Sequence, residues 1–141
     1  MQKERFVERI LEAENLCDDL EDADANRLIN WGINQVDVIL AGITDEELAG
    51  KKINALMAVM RKINRLVGQA NEKTALQWSQ DLTVLHTLFV DAFGAENYRG
   101  SLTNTRNFEK YLTTLLPHEV LPHLLQWPNW SDSISKNTEG K

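Results

Sequence analysis

Three histidines are the residues of this chain whose type and spacing could support metal chemistry. His118 and His123 lie five positions apart, with Glu119 directly after the first and Pro122 between them. In the zincin motif two histidines four positions apart share one helical face, and a glutamate beside them acts as the base. A metal site here therefore needs a third ligand, such as His86. A metal-dependent helical-bundle hydrolase using His86, His118 and His123 is one function that we weigh, although the Glu-x-x-His pairs of di-iron bundles are missing.

Other catalytic patterns are weaker. The single cysteine, Cys17, falls on an apolar helical stripe, which favours core packing over a reactive thiol. The glycine-rich patterns of nucleotide-binding proteins are absent. Acidic residues cluster between Glu12 and Asp24, but no glycine lies between Asp18 and Asp24 to form the turn that a calcium loop requires. We therefore expect no cofactor, and we favour a protein without catalysis.

A group of basic residues lies on one side of a predicted helix between Thr44 and Val67. Its members are Lys51, Arg61, Lys62 and Arg65. Charged helix faces are generally solvated, so the first interpretation is ordinary protein surface. The alternative is a nucleic-acid-associated regulator that binds through this face. The net charge of −6 makes nucleic acid a disfavoured partner, because it provides no overall positive field.

Apolar residues recur at helical spacing along most of the chain, and no alternating β pattern competes with them. The predicted helices cover residues 3–17, 23–41, 44–67 and 74–94, and a fifth starts between Thr103 and Thr105 and is ended by Pro117. A short, proline-punctuated helix is predicted to begin near Pro122. Short connections favour antiparallel neighbours, so the predicted fold is an all-α, four- to five-helix antiparallel bundle. Residues 1–130 form the predicted single domain, and residues 131–141 a disordered tail with little apolar content.

The third predicted helix is expected to lie at the centre of the bundle. Its apolar stripe is nearly half the circumference wide, which requires partners on more than one side. Thr44 and Glu47 have the spacing of a capping box, as do Thr74 and Gln77 at the next helix. Gly32, on the apolar face of the second helix, indicates that a neighbouring helix approaches closely there. The residues predicted to be core are Ile53, Leu56, Met60, Ile63, Leu85 and Phe89.

A candidate interaction surface comes from four further residues. Trp31 and Val38 lie almost in line, two turns apart, well around the second helix from its main apolar face. Trp127 and Trp130 are aromatic residues of the kind that is enriched in interface cores. One interpretation is that the bundle packs the second apolar stripe internally, under the Trp127 segment. The other is a twofold homodimer contact anchored by tryptophan.

Length and composition indicate one compact domain and are compatible with a reducing compartment without requiring one. The chain has 141 residues, 43% of them hydrophobic, and its one cysteine allows no internal disulfide. No apolar signal-peptide core and no run of about 18 apolar residues is present, so we expect no membrane association and a cytoplasmic location. The leading hypothesis is a non-catalytic helical-bundle protein that acts as a protein-interaction or regulatory module with an unidentified protein partner.

Overall fold

The protein is an all-α helical bundle. The computed structural model describes residues 2–13, 15–93, 110–120 and 122, and these ranges contain no β-strand. Four α-helices form the bundle: α1 (Gln2–Glu12), α2 (Asp22–Ala41), α3 (Glu46–Gly68) and α4 (Ala75–Phe93). Residues 110–115 are also helical, and two 3₁₀ turns cover Ala70–Glu72 and His118–Val120. The predicted fold class is confirmed.

Helix α3 is central, because it packs against each of α1, α2 and α4. Its pairing with α4 is antiparallel. The Lys62 ammonium lies 2.8 Å from a carboxylate oxygen of Asp81, and the Lys52 ammonium donates a 2.8 Å hydrogen bond to the carbonyl of Asp91. From Lys62 to Lys52 the chain of α3 goes back by ten residues, while the contacted residue on α4 moves forward by ten, from Asp81 to Asp91. These two contacts define the register of the antiparallel pair.

The start of α3 differs from the prediction. The N-cap is Asp45 rather than Thr44, and the Asp45 carboxylate accepts the backbone N–H groups of Glu47 and Leu48 at 2.9 and 3.5 Å. Aspartate is at least as favourable as threonine at the N-cap position, and its carboxylate also places negative charge at the positive end of the helix dipole. The predicted capping box of Thr44 and Glu47 is therefore wrong by one residue.

The hydrophobic core contains the residues that periodicity selected. All six predicted core residues are at most 1% exposed. On α4, Trp78, Leu82, Ala92 and Phe93 are buried beside Leu85 and Phe89. Core formation is decided mainly by local spacing of large apolar side chains, which a sequence displays directly.

The first helix is shorter than predicted. It ends at Glu12 instead of continuing to Cys17, and Asn15 has a left-handed backbone with a φ of 65°. Asparagine tolerates that conformation better than most residues because its short side chain bonds locally. Leu16 is nevertheless buried, so the connection to α2 contributes to the core from a non-helical backbone.

The predicted close approach at Gly32 is confirmed, and the Thr74 half of the second predicted capping box is present. A Cβ atom added to Gly32 would lie 2.6 Å from the sulfur of Met60 on α3, so the two helices approach closely there. Thr74 caps α4, since its hydroxyl oxygen accepts the N–H of Gln77 at 3.2 Å.

The segment 110–120 joins the bundle through Leu112, Leu116 and Val120, which are all buried. Its helical part stops just before Pro117, as predicted for the fifth helix. The short helix predicted after Pro122 and the tail 131–141 lie outside the described residues.

Candidate functional site

The three candidate metal ligands occupy different environments. His86 is partly buried on α4, and burial lowers its pKa below the ordinary value. His118 is exposed in the 3₁₀ turn His118–Val120, and His123 lies outside the described residues. Within the described ranges, no group of three or more His, Cys, Asp or Glu side chains is arranged to hold a metal ion. The described residues thus contain no metal site for the hydrolase, and that hypothesis stays a prediction.

The basic face of α3 divides into two parts. Lys51, Arg61 and Arg65 are exposed, which matches a solvated face. Lys62 is different because it forms an ion pair with Asp81, and its side chain is only 22% exposed. An anionic partner on this face would therefore meet three exposed cations rather than four, and nucleic-acid binding through it stays a prediction.

Trp31 and Val38 are partly buried and pack against the core. The Trp31 ring is stacked with that of Phe89 on α4, with 6.5 Å between the ring centroids. In the sequence, the polar residue Gln35 separates the two apolar stripes of α2. It lies between Trp31 and Leu28 on the helix at 100° per residue, and it is only 5% exposed.

One continuous buried surface therefore runs across α2, with a polar residue near its middle. The internal packing of Trp31 gives the tryptophan a role within the bundle. Trp127 and Trp130, the other members of the candidate interaction surface, lie outside the described residues.

The environment of Cys17 does not favour nucleophilic chemistry. Cys17 lines an open cavity of about 480 Å³ beside Leu16 and Ile29, and its S–H donates to the carbonyl of Ala25 at 3.7 Å. Burial, together with the negative charge of Asp18, raises the pKa of the thiol. A raised pKa reduces the fraction of reactive thiolate at neutral pH.

The exposed face of α4 is unusual because it carries no charge over three turns. The exposed residues of α4 up to Thr87 are Ala75, Leu76, Gln77, Ser79, Gln80, Thr83, Val84 and Thr87. Leu76 is 70% exposed and Val84 is 47% exposed. The Thr83 and Thr87 hydroxyls donate to carbonyls one turn earlier in the same helix, at 3.0 and 3.1 Å. Their donors are thus satisfied internally, which reduces the cost of removing this face from water.

The exposed residues of α1 and α3 are mostly charged, and those of α2 include three charged residues, Asp22, Arg27 and Asp37. On α1, between Lys3 and Glu12, Leu11 is the one exposed residue without a charge. Lys3 pairs with Asp37 of α2 at 3.0 Å, so charges also link the outer sides of those helices. The cores of protein interfaces are depleted of charged side chains, so among these helices α4 offers the most interface-like surface.

This surface is not among the residues predicted from the sequence, although the sequence carries a signal for it. No lysine or arginine occurs from Thr74 to Tyr98, a stretch of 25 residues in a chain with 15 basic residues.

A second feature that the sequence did not reveal is a cluster of two lysines around one carboxylate. Lys62 contacts one oxygen of Asp81 at 2.8 Å, and Lys73 contacts the other at 2.5 Å. The Lys73 ammonium also donates to the amide oxygen of Gln69 at 3.0 Å. Burial raises the pKa of Asp81, but the hydrogen bonds and charges of the two lysines outweigh it and hold the pKa below its ordinary value.

No known protein family, curated protein sequence or solved structure matches this chain. Among the described helices, none combines the length and the apolar character needed to cross a membrane.

Proposed function

We propose that this protein is a non-catalytic protein-interaction module, an adaptor or regulator, that binds its partner through the exposed face of α4. The observation that carries the proposal is the uncharged character of this face, since the exposed residues of α1 and α3 are mostly charged and those of α2 include Asp22, Arg27 and Asp37. We place the protein in the cytoplasm, which suits a chain with a single cysteine.

The geometry of the face favours a helix as the contacting element. Leu76, Gln80, Thr83, Val84 and Thr87 fall within about 100° of arc and about 16 Å of helix length. A strip of that shape matches the ridge of a partner helix better than it matches a broad flat surface. The partner helix should present small apolar and uncharged polar side chains, because a charged side chain would lose its hydration without gaining an ion pair.

A site-specific photo-crosslinking experiment tests the location. The crosslinking amino acid benzoylphenylalanine replaces Gln80 in the centre of the α4 face, Lys51 on the exposed face of α3, or Asn34 on α2 near Trp31 and Val38. In cells that make the protein, we expect a discrete product from position 80. Neither of the other positions should yield that product.

A second substitution distinguishes specific docking from chance proximity. Val84→Glu adds a charge at a 47% exposed position, so it should leave thermal stability nearly unchanged and abolish the crosslink from position 80. A product that survives Val84→Glu, or products from positions 34 or 51 without one from position 80, would overturn the assignment to α4. The mass of the product also separates a second copy of this chain from a different protein.

A further inference from the structure

A second cavity, of about 310 Å³, lies where the bundle meets the segment 110–120. Its wall includes Asn71 of the 3₁₀ turn before α4, Lys73, and Trp78 from the first turns of α4. Pro117 and Val120 close it from the other side. The volume is at the lower end of the range for small-molecule sites.

The charge beside this cavity is unbalanced. The Lys73 side chain is only 4% exposed, and it shares the single carboxylate of Asp81 with Lys62. Two ammonium groups and one carboxylate leave a net charge of +1 in a partly buried site. A buried cation without its own counterion is costly, and an anion brought next to it recovers part of that cost.

The neighbouring groups do not cancel this charge in the part of the chain that the structure describes. Glu72, directly before Lys73, is exposed and forms no ion pair with either lysine. Ala75, at the start of α4, also lines the cavity, and the helix dipole adds positive potential at that end.

The cavity wall combines this cation with apolar surface. The Lys73 ammonium lies 5.6 Å from the centre of the Trp78 ring, so charge and aromatic surface meet at one point of the wall. Pro117 and Val120 add further apolar surface. A fitting ligand therefore has an anionic group for Lys73 and a small apolar body for the opposite side.

We propose that this cavity binds the carboxylate or phosphate group of a small organic anion, with Lys73 as the cation that recognises it. The cavity adjoins the α4 face at Ala75 but is not lined by Leu76, Gln80, Thr83, Val84 or Thr87, and neither proposal depends on the other. Because Asp81 already occupies part of the hydrogen-bonding capacity of Lys73, it lowers the affinity for the external anion and acts as its internal competitor.

The test is a titration of the full chain followed by the backbone and indole N–H signals in two-dimensional NMR spectra. The probes are benzoate, phenyl phosphate, inorganic phosphate and the neutral benzamide. We expect saturable shifts at Ala75, Trp78 and Val120 with benzoate, phenyl phosphate or both, which identifies the preferred anionic group. Benzamide should cause none, and added salt should weaken the binding. No saturable shift with either organic anion, or equal shifts with benzamide, would overturn the proposal.

Three variants test the role of the charge. Lys73→Gln should weaken binding by about tenfold or more, the loss of one charge-assisted hydrogen bond. Lys62→Gln removes the same charge from the cluster without changing the cavity wall, and it should have the smaller effect. Asp81→Asn removes the internal competitor and should tighten binding, an outcome that a purely structural role for Asp81 does not give.

Circular dichroism shows whether each variant folds. If Asp81→Asn does not fold, the difference in anion affinity between Lys73→Gln and Lys62→Gln tests the role of Lys73. Equal binding by those two variants would contradict recognition by Lys73.

Discussion

Asn64 in α3 holds the backbone of Asp19, which lies 45 residues earlier in the chain. The Asn64 side-chain oxygen accepts the Asp19 N–H at 2.9 Å, and its amide group donates to the Asn15 carbonyl and the Asp19 carboxylate at 3.3 Å. Asn64 is only 3% exposed, so one buried amide satisfies the irregular connection between α1 and α2. This connection is where α1 ends earlier than its periodicity predicts.

Replacing Asn64 should therefore be costly. We expect Asn64→Ala to lower the free energy of unfolding by about 1–3 kcal/mol, because the hydrogen bonds of the buried Asn64 amide are lost and the Asp19 N–H loses its acceptor. Asn54→Ala on the same helix is the matched control. Asn54 is exposed and bonds Arg9 at the surface, so its loss should cost about 0.5 kcal/mol or less. Urea denaturation measures both, and equal effects would show that the connection is not held by Asn64.

Gln35 is also a buried polar residue, but unlike Asn64 it has an unsatisfied side-chain oxygen within the described part of the chain. It is 5% exposed, and its side-chain oxygen has no hydrogen-bond partner among the described residues. Gln35→Met keeps the length of the side chain and removes the unsatisfied oxygen. We expect it to raise the free energy of unfolding by about 1 kcal/mol in the same urea assay. A loss of stability would indicate that Gln35 has a partner in the protein in solution.

Two helix glycines should respond differently to alanine. An added Cβ at Gly50 meets nothing within 4 Å, so Gly50→Ala should stabilise the protein by about 0.5–1 kcal/mol through helix propensity. At Gly32 the added atom would meet the fully buried Met60 side chain at 2.6 Å. We expect Gly32→Ala to be at least about 1 kcal/mol less stable than Gly50→Ala, because the core must shift to admit it. Thermal denaturation of the pair makes the comparison, and equal stability would contradict the close contact of α2 with α3.

Trp31 tests whether its stripe is core or free surface. Its ring is stacked with the buried ring of Phe89, so Trp31→Glu should destabilise the fold by roughly 1–3 kcal/mol through lost packing. Trp31→Phe keeps an aromatic ring and should lose less. Thermal denaturation gives the stability, and light scattering reports association. A fully stable, monomeric Trp31→Glu variant of a dimeric wild type would instead support the homodimer contact.

The Asp81 cluster should make stability depend on acidity. The pKa of Asp81 in the folded protein lies below its ordinary value of 3.8, so the ionised carboxylate stabilises the fold above that pH. This contribution disappears as the pH falls through the folded pKa, because the carboxyl is then protonated in both states. We expect the stability difference between wild type and Asp81→Asn to be constant above about pH 5 and to shrink below pH 3.8. Denaturant titrations at several pH values test this, and a difference that grows in acid would contradict the assigned pKa direction.

The sequence by itself determined the helices and the apolar core. Ile53, Leu56, Met60 and Ile63 are separated by three or four positions, so any helix through them has one apolar side that must be buried. Local rules also located the cap at Thr74, because a cap acts within one turn of the chain. These features depend on residues within a few positions of one another, so the sequence alone is enough to predict them.

Only the tertiary structure decided which polar residues enter the interior and which charges meet. Gln35 and Asn64 have no local property that marks them for burial, and Asn64 is satisfied by a connection 45 residues away. Lys62 of α3 meets Asp81 because of the register between α3 and α4, and Lys73, in the connection before α4, contacts the same carboxylate. That register comes from the fit of many side chains across the interface, so no short segment of the sequence contains it.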